Sequence, residues 1–255
     1  MTRIDRPTAA PSRLQRGIAE VTAMELRVKK RPKVAGTERD PFTFDQTIYG
    51  HSTVKVALKR AQNNKCAFCE NDFSGNASGD VEHFRPKGFS QQASGSAKMY
   101  PGYYWLAYSW ANLLYSCEHC NRRIKRNLFP LKNPGHRARH SRDDLSTERP
   151  MLIDPSGPDD PRDHIGFRYN KPYGKTDRGL ATIHAMALDR TELDNPRLDR
   201  IKYVKALQTI AGLDPADPQH DVDLVQAIHD ARATLPSLVK PNAVFSAMTA
   251  DFLGV

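Results

Sequence analysis

The chain has 255 residues, 39% hydrophobic and 26% charged, a balance that suits a globular protein with a buried core and excludes a largely disordered one. No run approaches the ~20 apolar residues of a membrane span, and the basic opening MTRIDRPTAAPSRLQRG lacks the apolar stretch of a secretory signal, so the expectation is a soluble protein with the cytoplasm as its default location. A net charge of +9 and a pI near 9.4 attract polyanions, which makes nucleic acid the leading partner to weigh against a generically basic surface.

From the N-terminus, Leu14, Ile18, Val21 and Val28 recur at helical spacing and predict an amphipathic helix over 12–30, ended before Pro32. After a turn-rich stretch, residues 46–62 read as helical again, with Val54, Ala57, Leu58 and Ala61 on one face, and this helix delivers the chain to Lys65-Cys66. Two Gly/Ser-rich segments, 74–80 and 88–98, flank a short extended piece at Val81 to Phe84. Residues 103–116 are aromatic and apolar, with Trp105, Leu106 and Leu114 assigned to the core. Residues 133–149 lack periodicity and carry a basic first half, as a loop or linker would. Beyond them, Pro-punctuated extended segments precede several helices over 196–250, one presenting Ile201, Val204, Leu207 and Ile210, the next Val222, Val225 and Ile228. The expected organisation is a helical arm over 1–62, a central core over 63–132, a basic linker over 133–150 and a mainly helical region over 151–255. The class is α+β.

All four cysteines fall into two C-x-x-C pairs, Cys66/Cys69 and Cys117/Cys120. Each such turn aims two thiolates at one cation, so the pattern predicts a tetrahedral structural Zn²⁺ site. Disulfides are the alternative, but they suit secreted chains, and two such short loops would staple little. A zinc joining the two pairs closes the intervening 47 residues into a loop, so that Glu82-His83 and Asn121 can face one cleft although distant in sequence. Taken alone, a Glu-His pair is more often a solvated acid and a structural histidine; within the cysteine frame the functional reading takes precedence. Adjacent side chains on a regular strand point to opposite faces, so Glu82 and His83 can share a site only if the strand ends or bends there, as Arg85-Pro86 favours.

These residues resemble the HNH endonucleases with the ββα-metal fold, in the subset with a four-cysteine zinc site. The matching patterns are E-H-F-x-P at Glu82 to Pro86, W-x-N-L at Trp110 to Leu113, and C-x-x-C-N-x-x-x-K at Cys117 to Lys125. The resemblance implies metal-assisted phosphodiester hydrolysis, with His83 as general base and Asn112 pinning the loop between strand and helix. It also implies that Glu82 and Asn121 hold a catalytic Mg²⁺ or Mn²⁺. Chemically the roles are reasonable: neutral imidazole takes a proton from water, while a hard cation with few protein ligands stabilises the phosphorane. Asn121 stands where histidine is frequent in the family, and Glu82 where aspartate is, which leaves the metal's identity open. Arg85, Lys87, Arg122, Arg123, Lys125 and Arg126 are the expected phosphate contacts.

Softer matches in FPL (129–131), LIDP with DDPRDHIGF (152–167) and ALDRTELDNPR (187–197) resemble the longer, PtuB-like HNH proteins of Septu-type and retron-linked anti-phage systems. That resemblance implies a partner, an ABC-type ATPase; the chain itself lacks a G-x-x-x-x-G-K-[ST] phosphate loop. His164 and His184 are assigned structural roles. Two other readings stay open: an RNA- or tRNA-cleaving toxin of the same chemistry, and a non-catalytic zinc module that binds nucleic acid or protein.

Overall fold

The computed structural model describes residues 1–73, 75 and 79–255, so the loop expected over 74–80 lies largely outside the described residues. The first predicted helix is present in two parts, a 3₁₀ turn over Ser12–Arg16 and α1 over Gly17–Lys30. Leu14 and Met24 are buried, whereas Ile18, expected on the same face, is 68% exposed. The tighter 3₁₀ turn shifts the phase between residue 14 and the α-helix proper. Gly17 is needed at the junction, because a Cβ there would lie 2.2 Å from Cγ of the Tyr108 ring.

The second predicted helix is likewise divided, into α2 (Gln46–Tyr49) and α3 (Ser52–Ala61). Each segment has its own cap: the Asp45 carboxylate accepts from Thr47 N at 2.7 Å, and His51 Nδ1 accepts from Thr53 N at 3.3 Å. Val54 and Leu58 are fully buried, as their spacing requires. Asn63 and Asn64 then adopt left-handed φ values of 52° and 63°, a conformation asparagine tolerates, and turn the chain into the first cysteine pair.

At the centre is a short antiparallel hairpin, β1 (Asp80–His83) against β2 (Leu113–Ser116), with Glu82 opposite Leu114 and His83 opposite Leu113. All four residues of β2 are buried. A π-helical turn, His119–Lys125, follows β2 directly. The connection between the strands contains two 3₁₀ turns, Tyr104–Leu106 and Trp110–Asn112, and buries Tyr103 and Tyr104. Of the three core assignments there, Leu114 is fully buried, while Trp105 and Leu106 are partly buried and pack against the core clusters.

The segment 133–149 is more tied down than its composition suggests. Glu148 is buried and accepts from Tyr103 Oη (2.7 Å), Ala138 N (2.8 Å) and Arg85 Nε (3.1 Å). A buried carboxylate needs such a set of donors, and the loop follows them inward. The C-terminal region comprises α4 (Pro161–His164), a second hairpin of β3 (Ile165–Arg168) and β4 (Lys171–Gly174), α5 (Asp177–Ala185), α6 (Asp194–Ala211), α7 (Val222–Thr234) and α8 (Ser246–Leu253). On α6, Ile201 and Val204 are buried while Leu207 and Ile210 are only partly so; on α7, Ile228 is buried but Val222, in the first turn, is 83% exposed. One hydrophobic cluster joins Cys66, Phe68, Phe84 and Phe129 to Leu152, Ile165, Ile183 and Leu193, so the hairpin and the segment after residue 150 share packing. Among the described residues the architecture is a mixture of helices and two small sheets, and no helix is long and apolar enough to cross a membrane.

Candidate active site and metal centre

The two cysteine pairs meet. The ligand atoms of Cys66, Cys69, Cys117 and Cys120 all lie within 4.8 Å of one another, and Cys69 Sγ is 4.0 Å from Cys117 Sγ. Four sulfurs about a zinc at ~2.3 Å sit ~3.8 Å apart, so the cluster has the size of a tetrathiolate site. None of the four is in a disulfide. Both pairs curl as knuckles: Glu70 N donates to Cys66 O at 3.1 Å, Asn121 N to Cys117 O at 3.0 Å, and Cys120 N to Cys117 Sγ at 3.4 Å. Ala67 N donates to Tyr115 O at 3.0 Å, which fixes the first knuckle to the β2 strand that carries the second. From far away in sequence, Arg190 places Nη2 3.5 Å from Cys120 Sγ, a cation beside sulfurs that become anionic when a metal is held. Glu70, next to the first pair, is buried in contact with the Lys65 ammonium (3.8 Å) and the Met1 amine (2.5 Å), while burial alone would raise it; together these hold its carboxyl at about 2.

The same hairpin also borders a cleft of about 560 Å³. β1 ends at His83, and Glu82 and His83 both line this cleft, with Lys87 and Asn121. His83 Nε2 is 2.9 Å from Ala107 O. A carbonyl only accepts, so Nε2 carries the ring proton and Nδ1 keeps its lone pair. Burial, helped by the charge of Lys87, holds the imidazole well below its ordinary range, so it is neutral at pH 7. Tyr49 packs edge-on against the ring at 4.8 Å and fixes its plane. Lys87 Nζ approaches Nδ1 at 3.4 Å and also lies over Tyr49; burial pushes this lysine down to about 8. Its backbone is fixed by Gly102, whose N donates to Gly88 O at 2.8 Å and where a Cβ would meet the Lys87–Gly88 backbone at 2.6 Å.

Glu82 is buried, which raises its carboxyl against the pull of Lys125. Lys125 Nζ donates to Glu82 Oε1 at 2.6 Å and to His83 O at 2.8 Å, and it is itself fully buried. The other carboxylate oxygen has no hydrogen bond among the described residues. Asn112 acts as a backbone brace: its Oδ1 accepts from Arg85 N at 2.8 Å, and its Nδ2 donates to Arg85 O at 3.0 Å and Leu106 O at 3.2 Å. Those bonds hold the chain just where it leaves β1.

The six basic residues singled out in the sequence divide. Lys87, Arg122 and Arg126 line the cleft, with Arg122 paired to Asp80 at 2.8 and 2.9 Å. Arg123 is exposed beside them on the π-helical turn. Two expectations require correction. Lys125 is not a surface phosphate contact, because its ammonium is sequestered on Glu82. Arg85 turns to Glu148 and lines a separate cavity of about 880 Å³, where Arg178 also pairs with Asp159. That larger space is also lined by His164 and several acids, but no amide side chain joins them; Glu82, His83 and Asn121 line the smaller cleft together, which makes it the candidate active site. His164 bonds Thr176 Oγ1 at 2.8 Å, and His184 is exposed on α5; neither is in the cleft. Sequence reasoning missed Tyr49, Lys55 and Arg190. The first two stand on helices that carry no catalytic pattern, and the third approaches Cys120 across 70 positions that local spacing does not relate.

Comparison with known proteins places the chain in a family. The chain is 34% identical over 244 residues to the Septu protein PtuB of Bacillus mycoides (strain KBAB4), a match covering 87% of this chain and 81% of the relative. It is 28% identical over 162 residues to the Septu protein PtuB of Bacillus thuringiensis, covering 63% of this chain and 48% of that protein. No family model and no solved structure matches. At this identity and coverage, the chain belongs to the Septu PtuB family.

Proposed function

We propose that the protein is a metal-dependent nuclease of the HNH type, folded around a structural zinc and acting as the nuclease component of an anti-phage system. The observation that carries the proposal is a neutral histidine that lines a basic cleft with a carboxylate and an amide, its Nδ1 facing the Lys87 ammonium at 3.4 Å. His83 is oriented by Ala107 O to accept a proton from water through Nδ1, and Nε2–H remains engaged while the ring becomes cationic. Lys87, 3.4 Å from that nitrogen, is positioned to exchange it for a phosphate oxygen when a phosphodiester enters. Arg126 and Lys55 line the same cleft and suit flanking phosphates.

Glu82 and Asn121 are the pair that would hold a divalent cation. They fit a hard ion that keeps most of its water: one free carboxylate oxygen and one amide oxygen reach the same cleft. Mg²⁺ or Mn²⁺ there would stabilise the charge that develops on the phosphoryl group and the leaving oxygen. Zn²⁺ is the proposed occupant of the four thiols, in keeping with their number and spacing. The family relationship supports a role in Septu defence and a protein partner within that system, for which an ABC-type ATPase is the proposed identity.

The test is incubation of the purified zinc-loaded protein with plasmid, single-stranded DNA and total tRNA, with Mg²⁺, with Mn²⁺ and with neither. DNA cleavage that requires the divalent ion is the expected outcome. Selective cleavage of tRNA would move the substrate to RNA. Binding without products under every condition would replace the nuclease by a non-catalytic zinc module.

A further inference from the structure

The cleft's charges bear on the order in which its ligands enter. Its lining contributes Lys55, Lys87, Arg122 and Arg126 against Asp80 and Glu82, and Lys125 stands directly behind Glu82. Asp80 is fully engaged by Arg122, through both oxygens at 2.8 and 2.9 Å. Glu82 is therefore the one carboxylate left for a cation, and its charge is already matched by an ammonium 2.6 Å away that is itself fully buried. Lys125 also bonds His83 O at 2.8 Å, so it is held by backbone as well as by the carboxylate and has no route to solvent. On the facing side, the Lys87 ammonium lies within 3.4 Å of His83. A divalent ion approaching Glu82 and Asn121 meets a centre that is net positive before it arrives. Repulsion between such charges is strong where water is largely excluded. A phosphodiester reverses the balance, since it brings a negative charge and oxygen ligands to the same point.

From this we infer that Lys125 and Lys87 make the cation site dependent on the nucleic acid: the divalent ion and the phosphodiester bind as a coupled pair, and each is weak without the other. The inference rests on the reading of the cleft as a cation-assisted phosphodiesterase. Because coupling is reciprocal, the oligonucleotide must strengthen Mn²⁺ binding by the factor by which Mn²⁺ strengthens oligonucleotide binding.

The experiment follows free Mn²⁺ by electron paramagnetic resonance during titration into the zinc-loaded full chain. It is run alone and with nuclease-resistant phosphorothioate DNA, single-stranded and duplex. We expect Mn²⁺ affinity to rise roughly ten- to a hundredfold with DNA, the ordinary range for coupled sites, and the rise to vanish in Glu82→Gln. In Lys125→Met, Mn²⁺ should bind tightly without DNA and the coupling should shrink. Lys87→Gln, at the cleft rather than behind it, should shift the same quantities in the same direction if the Lys125 variant fails to fold. Mn²⁺ binding that needs Glu82 but is equally strong with and without DNA overturns the inference and leaves the nuclease reading intact. Absence of any Glu82-dependent Mn²⁺ binding overturns the inference as well, and the cleavage assay above then decides the reading independently.

Discussion

The thiol cluster and the cleft hang from the same β1–β2 hairpin, but they differ in how far the polypeptide alone completes them. At the cluster, four thiols converge with little but Ser116 Oγ at 3.6 Å and the Arg190 guanidinium for company, and four sulfurs at that separation are held well only by a cation. At the cleft, each buried group already has its partner: Glu82 has Lys125, His83 has Ala107 O, and Asn112 has both backbone groups of Arg85. On the proposed reading, the first region would depend on an ion to fold, whereas the second is assembled by side chains and would use an ion only for chemistry. Under that proposal, a thiol cluster and a cleft on one hairpin would stand in opposite relations to folding.

The comparison breaks most visibly at the sulfurs. Cys66→Ser should abolish stoichiometric zinc in the purified protein and remove the cooperative thermal transition, because a structural zinc in a small module carries on the order of 10 kcal/mol of folding free energy. Inductively coupled plasma mass spectrometry beside calorimetry reads both effects. Next in size is Glu70→Gln, which leaves the buried Lys65 ammonium without its carboxylate. A loss of about 3 kcal/mol in urea denaturation is expected, with the zinc retained. Arg190→Met sharpens the contrast further: removing the cation beside Cys120 should weaken zinc retention roughly tenfold against a competing chelator, with little change at the cleft. The smallest effect concerns pH. Lys87 titrates at about 8 because burial disfavours its charged form, so its charge is present at pH 7 and lost as pH rises to 9. Nucleic-acid affinity in the wild type should then fall by up to about fivefold more than in Lys87→Arg, the scale of one screened ion pair, as measured by fluorescence anisotropy.

What was legible in the sequence follows the same division. Paired C-x-x-C turns are local geometry, so their convergence could be read from spacing, and with it the proximity of Glu82, His83 and Asn121. The apparent conflict between neighbouring strand residues resolves because β1 stops at His83. Local patterns did not reveal which basic residue faces what. Lys125 sits among four basic residues that look alike in sequence, but the π-helical turn carries it inward to Glu82 and leaves Arg122 and Arg126 at the cleft. Arg85 is diverted by Glu148, a buried acid 63 positions away, and Ile18 reaches solvent because a 3₁₀ turn precedes α1 and shifts its phase. Each of these outcomes depends on a partner or a change of helical pitch that periodicity does not record.

The most direct test of the account is single-turnover cleavage by wild type and His83→Ala, prepared with equal zinc content and equal melting temperature, in Mn²⁺ on one DNA substrate. The account predicts a loss of roughly 10² to 10⁴ in rate for the variant, the range for removal of a general base, with zinc and fold unchanged. Full-rate cleavage by His83→Ala would contradict it.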